Sequence, residues 1–184
     1  MTNLANVAVS DRRLALARPV GLVIGASLFI AVCSRLSIPL PFTPVPLTLA
    51  NFAVLAVGLV LGSRRGFAAA TTFLAMGAVG LPVFSPAGPG GAAQLLGPTG
   101  GYLIAYPLVA YVAGLASEHN SFFRKLASAT LAEILLFACG VSWLTVIAHV
   151  PFAKAAAFGL YPFVFFEGMK VMGAAGLATR FRLK

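Results

Sequence analysis

Six apolar runs divide this chain, over about residues 19–34, 47–62, 66–81, 99–116, 126–148 and 160–179, and nearly every charge lies between them. A helix needs roughly 20 predominantly apolar residues to cross a bilayer, so most of these runs are of spanning length. The third is a little short and requires tilt or local thinning. The pattern predicts an all-α membrane protein of six transmembrane helices, with residues 1–184 forming one integral-membrane domain.

Two interruptions are not ordinary turns. Residues 36–46 hold four prolines, Pro39, Pro41, Pro44 and Pro46. Proline lacks an amide donor and disfavours helix in the residue before it, so this stretch is predicted to be a stiff, non-helical connection. Residues 82–97, rich in glycine and proline, form the longest irregular loop in this reading.

Composition supports the membrane assignment. The chain is 60% hydrophobic and 9% charged, with a mean hydropathy of +0.97. A soluble domain is roughly 25% charged, so a water-soluble fold is excluded. The net charge of +9 raises nucleic-acid binding as a possibility, but the cations sit in small groups between apolar runs and not along one face. With six spans, Arg12, Arg13, Arg18, Arg64, Arg65, Arg124, Lys125, Arg180, Arg182 and Lys184 share one side, against Arg35 and Lys154 on the other. By the positive-inside rule both termini are cytoplasmic, and the basic groups are orientation signals. The bulky Val32 before Cys33 makes a poor cleavage site, which argues against a signal peptide. Cys33 and Cys139 have neither disulfide nor metal-ligand spacing.

Both irregular segments then fall on the outer face. Their apolar residues, among them Phe42, Val83 and Phe84, suit lids over a pocket better than solvated loops. At Gly97-Pro-Thr-Gly-Gly-Tyr102 a span begins from that face. Its first-turn amides would make an anion site; close packing of small residues explains the glycines equally well. Glu167 and Lys170 are one helical turn apart inside the last span. Entered at Leu160, that helix would carry them about 10 and 15 Å deep, where charges face a bundle interior and mark functional sites. Asn51 fits either a ligand contact or an interhelical bond, and Glu133 is a second intramembrane acid with no cation near it in sequence. Gly21 with Gly25, and Ser27 with Ala31, are small residues spaced by four on the first span, suited to internal packing or to docking another membrane subunit. No nucleotide motif, metal set or Ser/His/Asp constellation occurs, so no enzymatic chemistry is expected, and a chain moving solute uphill would have to borrow energy from a partner or an ion gradient.

Phe42-Thr-Pro-Val-Pro-Leu-Thr48, Gly62-Ser-Arg-Arg-Gly66, Gly77-Ala-Val-Gly-Leu-Pro-Val-Phe84, Gly97-Pro-Thr-Gly-Gly-Tyr-Leu103 and Pro162-Phe…Glu167-x-x-Lys170 together resemble the BioY family. These are biotin-specific substrate-binding (S) components of energy-coupling-factor vitamin importers, and the likeness covers about residues 20–178. The resemblance implies the S-component fold, biotin capture from outside, lids formed by the loops after the first and third spans, and a prokaryotic cell membrane. It also implies partners: a transmembrane coupling protein and two ABC-type ATPases. Carried onto this chain, it assigns the ureido N–H groups to Glu167 and the ureido oxygen to Lys170. Gly100, Gly101, Thr99 and Tyr102 take the polar groups near the lid, and Phe42, Val83 and Phe84 cover the ring and tail. The reverse orientation of biotin is the alternative. Relatives often have Gln near Asn51 and Gly-Asp-x-x-Lys where this chain has Phe166-Glu167-x-x-Lys170. An S component for thiamin or riboflavin is the second reading of the fold. A lipid-modifying enzyme would have only Glu133 to work with.

Overall fold

A computed structural model describes residues 4–181, with side chains from Arg18 onward. In order, the elements are α1 (Leu4–Arg35), β1 (Ser37–Ile38), β2 (Leu47–Thr48), α2 (Ala50–Leu61), α3 (Ser63–Ala78), α4 (Gly91–Leu96), α5 (Gly100–Gly114), α6 (Phe122–Ile147), α7 (Phe152–Gly159) and α8 (Val164–Arg180). Every apolar run contains one long helix. Of the orientation signals, the side chains of Arg12 and Arg13 lie outside the described residues, as do Arg182 and Lys184.

Several boundaries differ from the sequence expectation. The first helix begins at Leu4 and continues through Pro19, well before the apolar run. The proline-rich connection is non-helical, and its two ends pair as short antiparallel strands, Ser37 with Thr48 and Ile38 with Leu47. This pairing delays α2 to Ala50. The glycine-rich loop contains a short helix, α4, over Gly91–Leu96. Before the last span, α7 takes up residues expected to be loop, and a turn over residues 160–163 follows it, so α8 begins at Val164. Among the described residues, two segments, Arg18–Arg35 and Phe122–Ile147, are long and apolar enough to cross a bilayer by themselves, while Ala50–Leu61 and Gly100–Gly114 are apolar but shorter.

The centre of the bundle is α2 with α5. Helix α5 packs on α6, α3 and α2, and α2 also meets α8, α1 and α3. Ala53, Val54, Leu55 and Leu59 of α2 are fully buried, as are Val109 and Ala110 of α5. Small residues make this contact close: a Cβ on Gly58 would lie 2.3 Å from the Ala110 carbonyl oxygen. Backbones approach in this way in membrane bundles, where lipid supplies no hydrophobic drive between helices.

The exterior is apolar. Ile24, Leu28, Ile104, Leu131, Ile134, Phe165, Met169 and Met172 are all exposed. Contiguous apolar surface of this kind marks a membrane or partner surface and not one facing water. The two small-residue pairs of α1 separate. Ser27 and Ala31 are buried against the bundle, the internal-packing alternative of the two readings. Gly21 and Gly25 line an exposed groove with Leu177 and Phe181. Lys125 also departs from expectation, being buried with its ammonium donating to the Ala178 carbonyl. It ties α6 to the last turn of α8, a favourable place for a cation at a helix C-terminus.

Candidate functional site

Helix α8 turns its charges inward. Glu167 and Lys170 are 7% and 9% exposed, and Val171, Ala174 and Ala175 bury the same face. The outward face is Phe165, Phe166, Met169 and Met172. Because α8 starts at Val164, Glu167 falls in its first turn and is less deep along the helix than a start at Leu160 would place it. A carboxylate there is stabilised by the positive end of the helix macrodipole.

Around this pair the bundle assembles a polar quartet. Lys170 Nζ donates to Glu167 Oε1 at 2.6 Å and to the Thr48 carbonyl beside the β hairpin. Asn51, in the first turn of α2 and 3% exposed, donates from one amide nitrogen to two acids. It reaches Glu167 Oε2 at 2.8 Å and Glu133 Oε2, from α6, at 2.7 Å. Both oxygens of Glu167 are therefore partnered. Asn51 Oδ1 and Glu133 Oε1 are buried with no hydrogen-bond partner. The sequence foresaw Glu167 and Lys170 as neighbours; it did not foresee that Asn51 would bring Glu133 to them.

Asn51 and Glu167 form one wall of a cavity. The rest of its lining is Ser34, Val45, Pro46, Thr48, Ala50, Ser85, Gln94, Thr99, Tyr102, Leu103, Tyr106, Leu136, Phe137, Gly159 and Phe163. It holds about 60 Å³ for the centres of water-sized molecules, within about 600 Å³ of unfilled space counting its mouth. Apolar and aromatic walls with a few convergent polar groups are the usual form of a small-molecule site. Asn51, Tyr102 and Glu167 lie in the first turns of α2, α5 and α8, so side chains from three helix starts meet at the cavity.

The other expected site residues fall into distinct places. Thr99 and Tyr102 line the cavity, and the Tyr102 hydroxyl donates to the Gly159 carbonyl at 2.8 Å. Lys170 stands behind Glu167 and is not part of the wall. Gly100 and Gly101 serve packing: a Cβ on Gly100 would lie 1.9 Å from the Leu95 carbonyl oxygen, and one on Gly101 2.2 Å from Trp143 Cβ. The Gly100 amide already donates to the Gly97 carbonyl at 3.0 Å. Phe42 is 58% exposed and outside the lining. Val83 and Phe84 are buried but also outside it, with Phe84 packed edge-on against Phe73 at 5.3 Å.

From the proline-rich connection the wall receives Val45 and Pro46, and from the glycine-rich segment Ser85 and Gln94. Gln94 is buried and accepts from the Gly90 amide at 3.1 Å, leaving its amide nitrogen for other partners. Sequence reasoning passed over Ser85 and Gln94. A lone glutamine in a glycine-rich apolar loop was the available signal. Both segments are anchored: Thr43 Oγ1 donates to the Phe158 carbonyl at 2.7 Å, and Trp143 Nε1 to the Gly97 carbonyl at 2.9 Å.

Comparison with known proteins identifies the family. The BioY family model matches residues 3–184. A Thermotoga maritima protein named biotin transporter BioY is 42% identical over 146 residues, which is 79% of this chain and 85% of that one. A Pyrococcus horikoshii protein named probable biotin transporter BioY is 37% identical over 155 residues, 84% of this chain and 91% of its own. Among solved structures, the S-component for biotin from an ECF-type ABC transporter superposes with a TM-score of 0.80 at 28% identity, covering 98% of this chain and 93% of that one. This chain, with its inward-facing Glu167–Lys170 pair beside an apolar cavity, belongs to the BioY family.

Proposed function

We propose that this protein takes up biotin, binding it as the S component of an energy-coupling-factor importer. The observation that carries this reading is the polar wall of Asn51 and Glu167 inside an otherwise apolar cavity. Biotin has a compact cyclic urea at one end, an apolar ring and chain, and a carboxylate at the other. The urea faces Asn51 and Glu167, with Lys170 holding Glu167 in position and compensating its charge. Val45, Leu103, Leu136, Phe137 and Phe163 enclose the ring and chain. Thr99, Ser85 and Gln94 receive the carboxylate near the lids. The names of the relatives support biotin as the ligand.

In this proposal the chain forms one integral-membrane domain of six spans, with both termini cytoplasmic and the lids outside, in a prokaryotic cell membrane. A transmembrane coupling protein and two ABC ATPases supply the energy, and the S component carries no cofactor. Equilibrium binding to detergent-purified protein tests the assignment. Biotin is expected to bind far more tightly than thiamin or riboflavin, and equal or weaker binding of biotin overturns it. The second reading, another vitamin, would emerge from the same measurement.

A further inference from the structure

We propose that Glu133 contacts the ligand, with Glu133 Oε1 and Asn51 Oδ1 accepting the two ureido N–H groups of biotin. The assignment rests on biotin being the ligand. It begins with which atoms are occupied. Glu167 uses one oxygen for Lys170 and the other for Asn51. Asn51 spends its amide nitrogen on Glu133 and Glu167. The acceptors of the quartet left without a donor are Asn51 Oδ1 and Glu133 Oε1, on residues 3% and 8% exposed.

Buried acceptors without donors are costly, and native interiors retain few of them. Here two occur on side chains that are bonded to each other, at the boundary of a cavity. Asn51 lines that cavity directly. Glu133 lies one turn from Leu136 and Phe137, which also line it. Glu133 itself lines a lateral groove between α6 and α8 that shares Phe137 and Glu167 with the cavity. A cyclic urea presents two N–H donors side by side, the complement of two neighbouring acceptors. Binding would supply the missing donors, and a ligand without them would leave the acceptors unpaired, which is how polar sites discriminate.

The test uses full-length protein in detergent, titrated with biotin and with biotins methylated at one or the other ureido nitrogen, alongside thermal unfolding without ligand. Glu133→Leu is expected to weaken biotin binding by roughly 10- to 100-fold, the range for leaving a buried hydrogen-bond donor unsatisfied. Glu133→Gln, which keeps an acceptor oxygen, should lose less. Methylation at one nitrogen should weaken binding to the native protein more than to Glu133→Leu, and the unliganded variant should unfold at the native temperature or above. Unchanged biotin affinity in Glu133→Leu overturns the assignment while leaving biotin uptake intact. An equal loss for all three ligands with a lowered unfolding temperature also overturns it, since that describes a purely structural residue. Native protein that binds no biotin overturns the function itself and this assignment with it.

Discussion

Lys170 shows what a single side chain does at this depth. Its ammonium joins Glu167 to the carbonyl of Thr48, and so links α8 to the hairpin ahead of α2. Removing one member of a buried pair leaves the other uncompensated. Lys170→Ala should therefore cost about 3–5 kcal/mol of stability and weaken biotin binding by at least tenfold, measured by thermal unfolding and calorimetric titration. The double variant Glu167→Leu/Lys170→Met should recover most of the stability and none of the binding. That contrast separates the pair's structural cost from its function. Both residues were legible in sequence because a charge inside an apolar run stands out. Asn51 was ambiguous, since an amide near a helix start serves a ligand and a neighbouring helix equally well. It does the second here while lining the cavity. Glu133 could be seen as costly but not as partnered, because its partners are 82 residues away and one helix over.

At the scale of elements, the long helices followed from apolar runs, but the short ones did not. Helix α4 spans Gly91–Leu96, where the surrounding glycines and prolines suggest loop, and α7 starts directly after Pro151, a favourable place for a helix to begin. Their stability comes from tertiary contact, which local composition does not record. Glycines were easier to locate than to interpret. Gly101 sits against Trp143, so Gly101→Val should force α5 and α6 apart. Overpacking of this kind costs about 1–3 kcal/mol, and thermal unfolding should show the loss without any ligand present. Thr43 binds the first lid to the end of α7. Thr43→Val should speed biotin dissociation several-fold while changing the association rate little, as stopped-flow measurement would show.

For the whole molecule, charge distribution and hydropathy predicted the class correctly, since no polar coat was available for a globule in water. Orientation rests on cations whose status varies. Arg64 and Arg65 are exposed at the start of α3, whereas Lys125 is buried and engaged with α8. A count from sequence treats them alike. Single cysteines introduced at Arg64 and at Ala87, in a background lacking Cys33 and Cys139, should react oppositely with a membrane-impermeant thiol reagent on intact cells. Position 87 is expected to label from outside and position 64 only after permeabilisation.

The last turn of α7 carries two ties at once. The carbonyl of Phe158 holds Thr43 of the first lid, and the carbonyl of Gly159 holds Tyr102 of α5. Both carbonyls belong to one helical turn, so a small rigid shift of that turn would loosen the cover and the wall together. Escape of a captured molecule should then be an all-or-none event with a single rate, and a slow leak past a half-raised flap should not occur.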